Sequence, residues 1–345
     1  MTPRATATTN TMRPYLLKGH ERPLTQVKFN REGDLFVSCA KDLQPCLWYG
    51  DTGARAGTYE GHNGAVWTCY IAHDSDRLVT GSADQTVRVW DLPTGAELAQ
   101  VKMSEPCRAV DVAAGERLMA YTTDSFMGAS PQIHLVPLPC SLSAGADELQ
   151  AAVAEGPARS VVCPKGRITR VCFVDAGRTL LSSHDGGFLR RWDVETGALV
   201  QEAQVHEDAV QDMQLAPRDG SYCITASLDK TAALVDVQTL EVLRSYKTGR
   251  FVNSAAVSPL FDHVMVGGGQ DASQVTTTSA KAGGFEARFF HKVYAEEFAS
   301  VRGHFGPINT VAFAPDGRGF VTGGEDGYVR LHHFDDDYFS TKFFA

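Results

Sequence analysis

One recurring interval constrains this chain more than any other feature. Gly19-His20 is followed 22 residues after the histidine by Asp42, and Trp48 lies six beyond. His62, Asp84 and Trp90 repeat both offsets, and His304 precedes Asp326 by 22, with His332 in the Trp position. His206 precedes Asp229 by 23, with Val235 six further on. Between the markers run short strand-like stretches such as Ala65–Ile71 and Arg77–Ser82, a polar turn Ala83-Asp84-Gln85, and then Thr86–Trp90. In the last of these Val87 and Val89 alternate with Arg88 and Trp90, a period of two that means strand. A unit of a few short strands cannot bury its own faces, so copies must stack on one another.

These Gly-His, Asp and Trp markers resemble the WD-repeat family, which implies four-stranded blades set radially around a channel. Seven blades of roughly 40–45 residues need about 280–315 residues, which fits the 345 available as a single all-β ring with room for insertions. A hydrophobic fraction of 43% supports a sizeable core. The net charge of −9 repels phosphate backbones, so direct nucleic-acid binding is not expected. Eight cysteines show no CxxC and no repeating spacing, and several fall on strand runs, as small buried hydrophobes would in a reducing compartment. No apolar run of about 18 residues suggests a membrane span.

Residues 1–13 read as a patternless tail, and 14–345 as one propeller. Tyr15–Leu17 stands before the first Gly-His and is expected to complete the last blade, removing two sheet edges at once. Asp51-Thr52-Gly53, Pro93-Thr94-Gly95 and Glu195-Thr196-Gly197 read as hairpin turns between third and fourth strands. The third blade is degenerate, and Pro139–Pro157 reads as an insertion between blades three and four, with a helix over Ala146–Glu155. In blade four the Asp185–Trp192 offset is seven, which suggests a bulge admitted by Gly186-Gly187. Blade six carries extra loop from Thr278 to Glu286, and the chain ends in an aromatic stretch read as packed.

The repeated histidines lie one per blade, too far apart around a ring to converge on a metal. The family pattern instead implies a structural network of His, turn Asp, second-strand hydroxyl and Trp. It covers His20, Asp42 and Trp48; His62, Asp84 and Trp90 with Thr80 or Ser82; Asp185 and Trp192; His206; and His304 with Asp326. A hydrolase triad does not fit, because the hydroxyl sits within a sheet and no nucleophile elbow occurs. Gly267–Gly269 lacks the GK[ST] of a phosphate loop. No catalytic residue, cofactor or metal is expected.

Several strings lie outside the general repeat pattern: MRPYLLKGH at 12–20, GGGQ at 267–270 with VTTT at 275–278, FEARFFH at 285–291, GHFGPINTV at 303–311 and GGEDGYVR at 323–330. They resemble the WD-repeat i (beta) subunits of the eukaryotic translation initiation factor three complex. That resemblance implies a cytoplasmic, non-catalytic scaffold, a single copy within a hetero-oligomer. It implies docking of the b subunit's C-terminal segment and of the g subunit, and only indirect contact with the small ribosomal subunit. A general WD adaptor, such as a ubiquitin-ligase substrate receptor, is the alternative. The first strands of the regular blades carry Gln26, Thr68, Arg170 and Thr310 at one position, where blade five has Asp212. Together with Asp208 and Asp229, Asp212 is expected to form an acidic patch for a basic partner segment.

Overall fold

The computed structural model describes residues 14–138, 142–143, 145–163, 166–269 and 284–340, and the expected tail lies outside them. The seven blades are seven four-stranded sheets, each antiparallel and, in six, paired in chain order. The seventh takes its outer strand from the start of the described chain, Tyr15–Lys18. That strand pairs antiparallel with Tyr328–His333, Tyr15 opposite Leu331 and Lys18 opposite Tyr328. Closure by the N-terminal strand is therefore present as expected.

The second strand of each blade is sandwiched between neighbours on both faces, so it loses the alternation of a half-exposed strand. Phe36 and Val37 illustrate this: Phe36 packs with Leu331 and Val321 of blade seven, and Val37 with Val66 and Leu78 of blade two. The core is thus a set of clusters lying between consecutive blades, not one central mass. Six of the cysteines sit buried as free thiols, and burial pushes Cys107 and Cys223 up to about 12. The turn glycines Gly53, Gly95 and Gly197 take φ of +67°, +72° and +72°, as three-residue hairpin loops need. Among the described residues no helix is long and apolar enough to cross a membrane.

The helix spans Ala146–Glu155, the expected bounds, but its place differs from expectation. Arg159–Val162 follows it and pairs with Gln132–Pro137 as the fourth strand of blade three, so the insertion lies inside that blade and not between blades three and four. Leu149 and Val153, one turn apart, bury against Val87, Val89, Ala99 and Val101 of blade two. Gln150 Oε1 accepts the Gln100 N–H at 3.1 Å, occupying an amide of that blade's outer strand.

At the other end a short helix, Asp336–Ser340, packs its aromatics inward. Tyr338 stacks on Phe334 with centroids 3.8 Å apart, and its hydroxyl bonds His263 Nδ1 at 2.6 Å. Phe343 and Phe344 lie outside the described residues.

Each innermost strand carries a register shift near its start. In blades one and two it falls between Leu24 and Gln26 and between Val66 and Thr68. The same shift separates Ile168 from Arg170, Val210 from Asp212, Val252 from Ser254 and Ile308 from Thr310. Blade three shifts between Cys107 and Val110. A bulged residue is left unpaired and its side chain is re-aimed, and here the bulges define one mouth of the central channel.

Candidate functional site: the repeat networks and the channel mouth

In blade two the Gly-His histidine joins three elements. His62 Nδ1 lies 2.8 Å from Asp84 Oδ2, and Nε2 lies 2.7 Å from Thr80 Oγ1. Trp90 Nε1 donates to that same hydroxyl at 2.8 Å. Thr80 accepts from the indole, so its own proton is free to go to Nε2, leaving Nδ1–H to donate to Asp84. Of the two candidate hydroxyls the fold uses Thr80, while Ser82 donates to Gly64 O. Asp84 also accepts the N–H groups of Asn63 and Thr86 and the Thr86 hydroxyl. Burial opposes its charge, but the His62 and Thr86 bonds outweigh burial and hold the carboxyl well below its usual range.

Blade one repeats the arrangement with Asp42, Ser38 and Trp48 around His20. Burial works against protonating His20, yet the Asp42 carboxylate and the Cys46 sulfur outweigh it and raise the ring to about 9. Blade five keeps His206, Asp229 and Thr225 without a Trp. Blade seven keeps His304, Asp326 and Thr322, and Arg330 takes up the slack by donating to Asp326 Oδ2 at 3.0 Å and Gly303 O at 2.8 Å. Burial there lowers His304 despite Asp326, with Arg330 adding to the effect. His332, in the Trp position, stacks on Phe320 at 4.4 Å, and burial drops it to about 3.

Blade four corrects the expectation for Asp185. Ser182 and Ser183 oppose Arg190 and Leu189, as Thr80 and Gly81 oppose Arg88 and Val87 in blade two. Gly186 therefore stands where Asp84 stands, and Asp185 falls one position earlier in a turn of unchanged length. No extra bulge is needed to explain the offset of seven. Asp185 instead accepts the Arg167 N–H at 2.9 Å. The imidazole comes from within the sheet: His184 Nε2 meets Ser182 Oγ at 2.8 Å, and Trp192 Nε1 donates to the same oxygen at 2.8 Å. Arg190 approaches Nδ1, and burial, then Arg190, hold His184 neutral, down to about 3.

Ser38, Thr80, Ser182 and Thr225 are all 0% exposed. Each hydroxyl is held by a ring nitrogen inside a sheet, where no substrate atom can reach it. The networks tie strands and loops together; the free surfaces lie elsewhere.

The fold divides the expected acidic patch. Asp208 is exposed on the loop into blade five, and half-buried Asp229 is engaged with His206 and Thr231. Asp212 is 4% exposed in the channel wall. It accepts Arg170 Nε at 3.0 Å, Gln214 Nε2 at 3.0 Å and the Ser254 hydroxyl at 2.5 Å. The cause is the bulge at Gln211, which takes the mouth position and drops Asp212 into the layer below. Asp212 thus does not share a surface with Asp208. Arg170, which neutralises it, also reaches toward the Trp67 and Thr25 carbonyls at 3.4 Å each.

A second surface was not anticipated. The bulged residues Thr25, Trp67, Arg108, Thr169, Gln211, Asn253 and Asn309 ring a cavity of about 260 Å³ with Leu24, Lys41 and Arg170. Its signal was one position before the residues compared across first strands, hidden because a bulge is invisible to simple alternation.

Residues 12–344 match the EIF3I protein family. Among curated relatives, "Eukaryotic translation initiation factor 3 subunit I" of Drosophila melanogaster is 44% identical over 333 residues, covering 96% of this chain and 100% of the relative. The protein of the same name from Bombyx mori is 44% identical over 332 residues, covering 96% of this chain and 98% of the relative. The match extends through the repeat networks, the helical insertion and the irregular sixth blade alike, and the chain belongs to the family of eukaryotic translation initiation factor 3 subunit I.

Proposed function

We propose that this translation initiation factor subunit is a non-catalytic cytoplasmic scaffold. In this reading it docks the C-terminal segment of the b subunit and part of the g subunit, and so supports preinitiation-complex assembly and mRNA recruitment on the small ribosomal subunit. The observation that carries the reading is a groove of about 720 Å³ on blade five, lined by Gln204–Glu207, Asp229–Thr231, Ser245 and Lys247. Exposed Asp208 lies on the same loop, and Val242 and Leu243 of the blade's outer strand are 46% and 52% exposed. The loop acids Glu207 and Asp208, set near Lys230 and Lys247, with Val242 and Leu243 exposed farther along the outer strand, suit a segment carrying both basic and apolar side chains.

Asp212 lies apart from this rim, holding Arg170 in the channel wall, so the test separates the two positions. Asp208→Lys is expected to weaken binding of the b subunit's C-terminal segment about tenfold in calorimetric titration, or roughly 1.4 kcal/mol, with an unchanged melting midpoint. Asp212→Lys sets two cations side by side in the channel wall and lowers the midpoint as well. Undiminished affinity in Asp208→Lys counts against the acidic rim.

A further inference from the structure

The channel mouth holds cations that the fold leaves unanswered, and we propose that it binds a phosphoryl dianion. Arg108, Lys41 and Arg170 line the cavity, and none of its lining residues is acidic. The Arg108 guanidinium lies 4.1 Å from the Trp67 ring centroid. Among the described residues it has no carboxylate or carbonyl partner, and neither does the Lys41 ammonium. Arg170 is committed to Asp212 one layer below. Two carboxylates of neighbouring loops are engaged elsewhere: Glu325 accepts Asn309 Nδ2 at 2.7 Å, and Asp124 pairs with Arg167 at 3.1 Å.

Geometry selects the class of anion. A guanidinium held over an indole face can still present its N–H fork, the shape that matches two oxygens of a phosphoryl group. Burial, then the neighbouring cations Arg167 and Arg170, depress the Arg108 pKa to about 10, and Asp124 opposes them only in part. A volume of about 260 Å³ lies below the roughly 300–1,000 Å³ of sites that enclose whole small molecules. One charged group fits, with whatever carries it left outside the mouth. The overall charge of −9 makes this local reversal of sign a property of the channel mouth and not of the surface at large.

A free phosphate and a phosphorylated side chain share this chemistry, and the experiment has an arm for each. Inorganic phosphate and a short phosphoserine peptide are titrated into the full chain by calorimetry at constant ionic strength, with chloride as the matched control. We expect saturable binding of the phosphoryl probe, at least tenfold weaker in Arg108→Gln and several-fold weaker in Lys41→Gln. Arg244→Gln, exposed on the outer strand of blade five, leaves it unchanged. Circular dichroism melts establish that the variants are folded. A peptide binding tenfold tighter than inorganic phosphate assigns the site to a phosphorylated segment, and equal affinities assign it to the free anion. No heat beyond the chloride control, or full affinity in Arg108→Gln, overturns the proposal.

Discussion

Asp84 shows how much one repeat residue holds. Its two oxygens accept from His62, two backbone N–H groups and the Thr86 hydroxyl, joining the loop into blade two to the turn inside it. Asp84→Ala leaves those amides without an acceptor and His62 Nδ1 with only the 3.3 Å contact to Thr86 Oγ1, at about 1–3 kcal/mol for orphaned buried groups. Chemical denaturation should register a loss of that order, and an unshifted midpoint would remove the network argument. Spacing alone made this residue legible, because its turn has the common length and the common residue. In blade four the same reasoning chose Asp185, since interval counting cannot tell a displaced aspartate from a lengthened loop. The imidazole had moved too, onto His184, where no Gly-His marks it. Only strand register distinguishes the two.

At the scale of elements, the N-terminal strand closes the disc with four residues. Leu17 is 7% exposed and packs with Trp48, Val329 and Leu331, while Tyr15 and Leu16 face outward at 50% and 57%. Leu17→Asp places an unpaired carboxylate in that cluster and releases the strand, exposing Tyr328–His333 as a free edge that can pair with another chain. The expected result is a lower melting midpoint together with concentration-dependent aggregation in light scattering; monodisperse protein with a normal midpoint would mean closure does not depend on this strand. This element was readable because a lone strand before the first repeat has nowhere else to pair. Arg159–Val162 was not. Arg159, Ser160 and Val162 are exposed and only Val161 is partly buried, so nothing alternates, and the helical insertion before it reads as lying between blades. Strands that carry no apolar face leave no periodic trace, however regular their hydrogen bonding.

Across the whole molecule, buried histidines set the acid limit of the ring. His184 and His332 fall to about 3 and His263 to about 4, burial being the first cause in each. A folded-state pKa below the unfolded value near 6.5 means the fold favours the neutral ring. That contribution is complete above about pH 6.5 and is lost as pH falls toward 3–4, by at most about 1.4 kcal/mol per pH unit for each group. The depressed carboxyls of Asp42, Asp84 and Asp326 add a second loss below about pH 4. His20 runs the other way: its pKa is raised, so its share is present below about 6.5 and is lost as pH rises through about 9. Stability should therefore peak near neutrality and fall before these depressed carboxyls titrate. Urea unfolding at pH 5, 6, 7 and 8 tests this, with His184→Gln expected to flatten part of the slope between pH 7 and 5. Because each blade is packed on both neighbours, protonating one such ring loosens two interfaces, and the transition should remain cooperative. A profile level from pH 7 to 5, or a His184→Gln slope equal to the parent's, would show that these rings are not held neutral by the fold.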